Sequence, residues 1–159
     1  MEYLVVKWLH IQTSTLLFGT GIGSAFQMLL ASRTREPRAA AVVVRQVVWA
    51  DWLFTTTTIV FQPLSGLYLV HLLGYPWTAP WLLWTYGLYL LAGACWLPVV
   101  GLQIRMRRLA EDAVEAGRPL PPLYFRYLKA WTALGVPAFF ALIVVFWLMV
   151  AKPTGGGWW

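Results

Sequence analysis

Four apolar stretches, each long enough to cross a hydrocarbon layer as a helix, leave this sequence few folds to choose from. They run from about Tyr3 to Ala31, Val47 to Leu73, Trp81 to Ile104 and Ala130 to Ala151. A crossing takes about 20 helical residues. Lipid offers the backbone no hydrogen-bond partner and four segments are too few to close a barrel, so each must be a helix. The expected fold is therefore all-α: a four-helix transmembrane bundle forming a single integral membrane domain over residues 1–159. Composition supports this, with 60% hydrophobic and 11% charged residues, against about 45–50% and 25% in soluble domains. Disorder is excluded by the same abundance of aromatic and aliphatic residues.

The connections between the stretches differ in charge. Arg33, Arg35, Arg38 and Arg45 lie between the first and second, opposed only by Glu36. Arg105, Arg107, Arg108, Arg118 and Arg126 lie between the third and fourth, among Glu111, Asp112 and Glu115. The link Gly74-Tyr75-Pro76-Trp77-Thr78-Ala79-Pro80 carries no charge. A net charge of +6 would point to nucleic acid in a soluble protein. Here the basic residues report topology, because cytoplasmic loops collect Lys and Arg, and no nucleic-acid partner is expected. The two arginine-bearing loops are thus expected in the cytoplasm, with both termini outside. Met1-Glu2-Tyr3 lacks a basic n-region, so the first stretch reads as a retained helix and not a signal peptide. The lone Cys95 rules out an internal disulfide.

Local signals refine the boundaries. Glu36-Pro37 has the form of a helix start, with proline where a missing N–H costs nothing. After the third span, Arg105 to Ala116 keeps helix-forming residues until Gly117, a C-cap signal, and Arg118-Pro119-Leu120-Pro121-Pro122 breaks it. Gly155-Gly156-Gly157-Trp158-Trp159 is the one low-complexity patch. Tryptophan is abundant, 11 of 159 residues. Trp8, Trp77, Trp81 and Trp147 fall near the outer boundary and Trp49, Trp52 and Trp131 near the inner one, as interfacial belts require.

Only two histidines exist. His10 lies early in the first span and His71 near the end of the second, and antiparallel helices put both in the outer leaflet. At 1.5 Å per residue they sit roughly 10 and 16 Å from the mid-plane. Neutral imidazoles facing each other across a bundle can serve as axial ligands to a haem iron. The alternative for His10 is a hydrogen bond across helices, and for His71 an interfacial side chain beside Tyr75 and Trp77. His10 shares its face with Thr13, Ser14, Leu17, Gly21 and Ser24. On the second span Asp51, Thr55, Thr58 and Gln62 form the polar stripe. His71 is nine residues past Gln62, about 900° at about 100° per residue, which puts it on the opposite side unless Pro63 rotates the upper half.

The remaining candidates read as structure. Asp51 is the one acidic residue inside a span, a functional pointer by default. Near the cytoplasmic boundary, pairing with Arg45 or Arg105 would satisfy it. Gly19, Gly21, Gly23 and Ser24 offer a small-residue surface for close helix approach. The Thr55–Thr58 run can bond back to carbonyls four residues earlier. Met1, Met28, Met106 and Met149 are scattered, and Cys95 has no partner, so a copper(I) site has no ligand set. No Ser-His-acid group shares a depth, which leaves a hydrolase unsupported.

Several segments carry a resemblance: Leu4-Val5-Val6-Lys7-Trp8-Leu9-His10-Ile11, Ala50-Asp51-Trp52-Leu53-Phe54-Thr55, Gln62-Pro63-Leu64-Ser65-Gly66, Trp96-Leu97-Pro98-Val99-Val100 with Gln103-Ile104-Arg105-Met106, and Phe146-Trp147-Leu148-Met149-Val150. Over nearly the whole chain they resemble an uncharacterised bacterial family of predicted integral membrane proteins. That family is distantly similar to the HemJ-type protoporphyrinogen oxidases and to the copper-resistance D family. Both have a first-helix motif that places a histidine where His10 stands. The resemblance implies haem b at His10 and a multi-pass protein of the bacterial inner (cytoplasmic) membrane. Gln12-Thr13-Ser14-Thr15-Leu16-Leu17 replaces the aromatic-glycine segment of the HemJ group, and the third helix lacks its lysine.

The expected function is a b-haem-binding membrane redox protein for electron transfer, with His10 and His71 as iron ligands. The runner-up is a non-catalytic accessory subunit or assembly factor of a larger membrane complex, and the third reading is a HemJ-like porphyrinogen oxidase. Expected partners are the lipid bilayer and either a larger membrane complex or a quinone. The arginine asymmetry yields a direct test. In a variant with Cys95 replaced, a cysteine at Thr78 should react with an impermeant maleimide only from outside; labelling only from the cytoplasm overturns the orientation.

Overall fold

The computed structural model describes residues 1–153, which are helical throughout apart from short connections. Helix α1 covers Glu2–Arg33, α2 Pro37–Ala50, α3 Thr56–Leu72, α4 Pro80–Glu115 and α5 Pro122–Ala151. A single π turn, Asp51–Thr55, joins α2 to α3. The chain thus makes four rods, each long and apolar enough to cross a membrane. The Gly155–Trp159 patch and the C-terminal end lie outside the described residues.

The rod ends follow from local chemistry. Pro37, Pro80 and Pro122 occupy the first helical turns of α2, α4 and α5, where proline has no hydrogen bond to lose. The Glu36 carboxylate accepts from the Arg38 N–H at 3.4 Å. Two rods close on glycines in the left-handed region, Gly74 at φ 66° and Gly117 at φ 59°. Beside each, paired N–H groups return to the last turn: Tyr75 to the Val70 carbonyl at 3.2 Å and Arg118 to the Ala113 carbonyl at 2.9 Å. This 6→1 bonding satisfies carbonyls that a helix end leaves bare. Two helices outrun their apolar spans: α4 continues to Glu115 and α5 starts at Pro122.

Helix α4 lies along α5, α2 packs on α4, and α1 packs on both α2 and α3. At the arginine-rich end Met28, Ala40, Val44, Val47, Met106, Tyr124 and Trp131 make one apolar core. Within it the Ser32 and Tyr124 hydroxyls lie 2.8 Å apart. At the other end Val70, Trp81, Leu82 and Leu148 form a second core. Between them Phe18 stacks on Phe139 at 5.1 Å and meets Phe146 edge-on at 5.2 Å. Pro63 has no N–H for the Ile59 carbonyl, and the Tyr89 hydroxyl of α4 donates to that oxygen at 2.6 Å.

Two expectations about surfaces change. Trp81 and Trp131 are 3% and 7% exposed; both are core side chains and not members of an interfacial belt. Trp8, Trp49, Trp52, Trp77 and Trp147 are exposed, as a belt requires. The Gly19–Gly23 surface mediates no close approach, since nothing lies within 4 Å of where a Cβ would stand on Gly19, Gly21 or Gly23. Gly23 instead borders a groove between α1 and α2.

Met28 is 0% exposed in the arginine-end core, so Met28→Ala leaves a cavity. In lipid the separated helix loses no hydrophobic transfer term, only packing contacts. The cost should therefore sit at the low end of the usual range, about 2 kcal/mol, read from unfolding in mixed detergent micelles.

Candidate functional site

Polar side chains at helical spacing line the facing surfaces of α1 and α3. His10, Thr13 and Ser14 recur at the three- and four-residue steps that keep one face of α1. On α3, Gln62, Ser65 and Gly66 do the same. Gln62 and Ser65 are buried, His10, Thr13 and Ser14 half-buried. In hydrocarbon such groups must find each other, and they do.

Gln62 is the centre of the seam. Its Nε2 donates to the Thr13 hydroxyl at 2.7 Å and to the His10 carbonyl at 3.0 Å, while its Oε1 accepts from Ser14 at 3.1 Å. One turn outward, His10 Nδ1 and Ser65 Oγ are 2.8 Å apart. The Ser65 hydroxyl donates to the Phe61 carbonyl at 2.8 Å. Where Ser65 keeps its proton on that carbonyl it accepts from His10, the tautomer with the proton on Nδ1 and a lone pair on Nε2; in the other tautomer Ser65 donates to Nδ1. The ring points its Cε1 corner at the α3 backbone. A Cβ on Gly66 would stand 3.2 Å from His10 Cε1, so glycine at 66 is what lets the imidazole lie there. Further out, the Tyr68 hydroxyl donates to the Glu2 carboxylate.

His71 takes no part in this seam. It occupies the exposed last turn of α3, five residues beyond Gly66. That spacing is about 140° round the helix and about 7.5 Å further along it. Pro63 does not turn it onto the seam. The facing of two imidazoles expected of a bis-histidine pair is replaced by a histidine facing a serine and a glycine. Among the described residues no group of three or more His, Cys, Asp or Glu side chains gathers.

Asp51 differs from its expectation in another way. It is 7% exposed and pairs with neither Arg45 nor Arg105. Its Oδ1 accepts from the Thr55 hydroxyl at 2.9 Å, and Gln103 of α4 is its other side-chain partner. Among the described residues the one ion pair is Arg107 with Glu111 at 3.7 Å. The Asp51 carbonyl receives both the N–H and the hydroxyl of Thr56, five residues on. Thr57 and Thr58 bond back to the Leu53 and Phe54 carbonyls at 2.7 and 2.6 Å. Hydroxyls that compete for carbonyls loosen the regular ladder, and the π turn falls where they begin.

Ser65, Gly66 and Gln103 are site residues that the sequence reading passed over. The signal for Ser65 was present: Asp51, Thr55, Thr58 and Gln62 step by four, three and four, and the next step of three reaches it. Gln62→Leu removes three side-chain contacts to α1 and should cost about 1–2 kcal/mol, given the modest worth of interhelical bonds in membranes. Unfolding in mixed micelles measures this; an unchanged midpoint would show that the seam contributes nothing to stability.

The comparisons with known proteins agree with the fold. Residues 4–153 match the model of a family described as "Predicted integral membrane protein (DUF2269)". No curated protein and no solved structure matches the chain. With four membrane-length helices and a match over nearly its whole length, the chain belongs to this family of integral membrane proteins.

Proposed function

We propose that this chain is an integral membrane redox protein that carries b haem, with His10 as the iron ligand it supplies. The observation that carries the reading is a half-buried histidine whose Nδ1 lies 2.8 Å from the Ser65 hydroxyl, which leaves Nε2 as the nitrogen to offer a metal. Metal-bound histidines are fixed in this way, the second nitrogen donating to a neighbour that sets the tautomer and the ring plane. The residues present fit one ligand. Ser65 can accept the Nδ1–H hydrogen bond, Gly66 leaves room for the ring, and Gln62 ties the His10 backbone to α3. They do not fit the expected pair, since His71 stands on another face, and the reading leaves His71 as an interfacial side chain. A bound b haem supplies one-electron transfer, with a quinone or a larger membrane complex as the class of partner.

Two further supports come from the sequence. The segment Lys7-Trp8-Leu9-His10 resembles the first-helix motif of the HemJ-type and copper-resistance D families, to which this family is distantly similar. The arginine distribution supports a bacterial inner membrane placement with both termini outside, which puts His10 in the outer leaflet. A second reading, the accessory subunit of a larger complex, is favoured by the Gly19–Gly23 surface. Among the described residues nothing stands within 4 Å of a Cβ built on Gly19, Gly21 or Gly23, and the surface has the small residues that a neighbouring helix needs.

The visible spectrum of protein purified from haem-supplemented cells decides between them. A Soret band should appear, His10→Ala should abolish it, and His71→Ala should leave it. Ser65→Ala should weaken haem affinity about 10–100-fold, the usual effect of losing the group behind a ligand. A wild-type protein with no Soret band sinks the haem reading and leaves the accessory subunit.

A further inference from the structure

Asp51 stands at one end of a file of buried polar side chains. Thr55, Thr58, Gln62 and Ser65 follow it on one face, all 8% exposed or less. Tyr68, bonded to Glu2, continues the same side to the surface. From Asp51 to Ser65 is 14 residues, about 21 Å of rise in a hydrocarbon layer of about 30 Å. A helix that only had to pack would fill such a face with apolar side chains. An ionisable residue within a span is a functional-site hypothesis by default, and ion pathways and proton relays are among its uses.

The surroundings of Asp51 point to protons. The charged residues of the two helices packed against its turn are Glu2 and Lys7, far along α1, and Arg33, Arg38 and Arg45. The three arginines are exposed, and none pairs with the carboxylate. Arg105 of α4 lies over the Tyr127 ring at 6.0 Å. Asp51 therefore has hydroxyl and amide neighbours but no fixed cation to hold it ionised. A groove of about 240 Å³ between α1 and α2, lined by Thr20, Ser24, Gln27 and Gln46, opens beside Ala50 and Phe54 at the same turn. Its lining reaches the neighbouring Ala50 and Phe54 but not Asp51 itself.

We propose that this file is a proton path across the membrane, with Asp51 as the carboxylate that binds and releases the proton. A proton from water on the arginine-rich side forms an O–H bond to an Asp51 carboxylate oxygen. That O–H bond then breaks in favour of a water molecule beside Thr55. The excess proton passes by exchange of O–H bonds among waters ordered by Thr58 and Gln62, and leaves beside Ser65 and Tyr68. Asp51 is restored as carboxylate, one proton has entered and one has left, and no electron moves. The path needs no cofactor, and it shares Gln62 and Ser65 with the haem reading, so its tests are made at Asp51 and Thr58, which that reading does not use.

Proteoliposomes holding the full chain and a trapped pH dye, with a potassium diffusion potential set by valinomycin, test it. Wild-type vesicles should acidify or alkalinise at least tenfold faster than protein-free ones. Asp51→Asn should fall to the protein-free rate and Asp51→Glu should keep most of the flux. Thr58→Val, isosteric and remote from the carboxylate, should slow it severalfold and serves if Asp51→Asn fails to insert. Wild-type flux no faster than protein-free vesicles overturns the proposal. So does Asp51→Asn or Thr58→Val conducting at the wild-type rate.

Discussion

Everything polar in this protein answers to one constraint: inside lipid, a donor or acceptor without a protein partner has none at all. Soluble proteins can leave a hydroxyl to water. Here most turn back on their own helix, as Thr15 does to the Ile11 carbonyl at 3.0 Å, or reach a neighbour, as Ser32 does to Tyr124; the buried Tyr86 hydroxyl and the Trp96 and Trp131 indole N–H groups are the exceptions among the described residues. The constraint acts as a sorting rule. Side chains that can be satisfied locally are allowed to face lipid, whereas Gln62, with more hydrogen-bonding capacity than one turn can absorb, is forced into the α1–α3 interface. That requirement draws the two helices together, and it fixes His10 against Ser65 and Gly66.

The same rule accounts for the break in regularity at Asp51. A carboxylate and four consecutive threonines compete for the carbonyls of one short stretch of the ladder. Widening one turn lets the Asp51 carbonyl take both the N–H and the hydroxyl of Thr56 while its side chain takes Thr55. Single π turns of this kind concentrate at functional positions because they aim a side chain where a regular helix would not. Here the aimed group is the one carboxylate within a span.

How much of this was legible beforehand depended on the range of the interaction. The four spans, the Glu36-Pro37 start and the Gly117 stop are written in runs of residues and in local backbone rules, so the sequence displays them. The polar faces of α1 and the second span were visible too, because helical spacing is local. What periodicity could not supply was the pairing of faces. It set His10 and His71 at similar depth but could not say that Ser65 and Gly66 would be the residues opposite the imidazole. It offered Arg45 and Arg105 to Asp51, yet the partner came from Gln103 on a helix fifty residues away. Belt positions misled for Trp81 and Trp131, because depth in the bilayer says nothing about which way round a helix a ring points. The glycine surface misled for the same reason: small residues permit contact without requiring it.

Position 63 shows what such pairing demands of the sequence over time. Proline there strips the Ile59 carbonyl of its helical donor, and the Tyr89 hydroxyl on α4 replaces it. A proline at 63 without a donor at 89 would strand that oxygen in lipid at a cost of several kcal/mol, while tyrosine at 89 without the proline merely loses a partner it can forgo near a carbonyl-rich surface. A chain that carries Pro63 is therefore expected to keep a hydroxyl or amide opposite it.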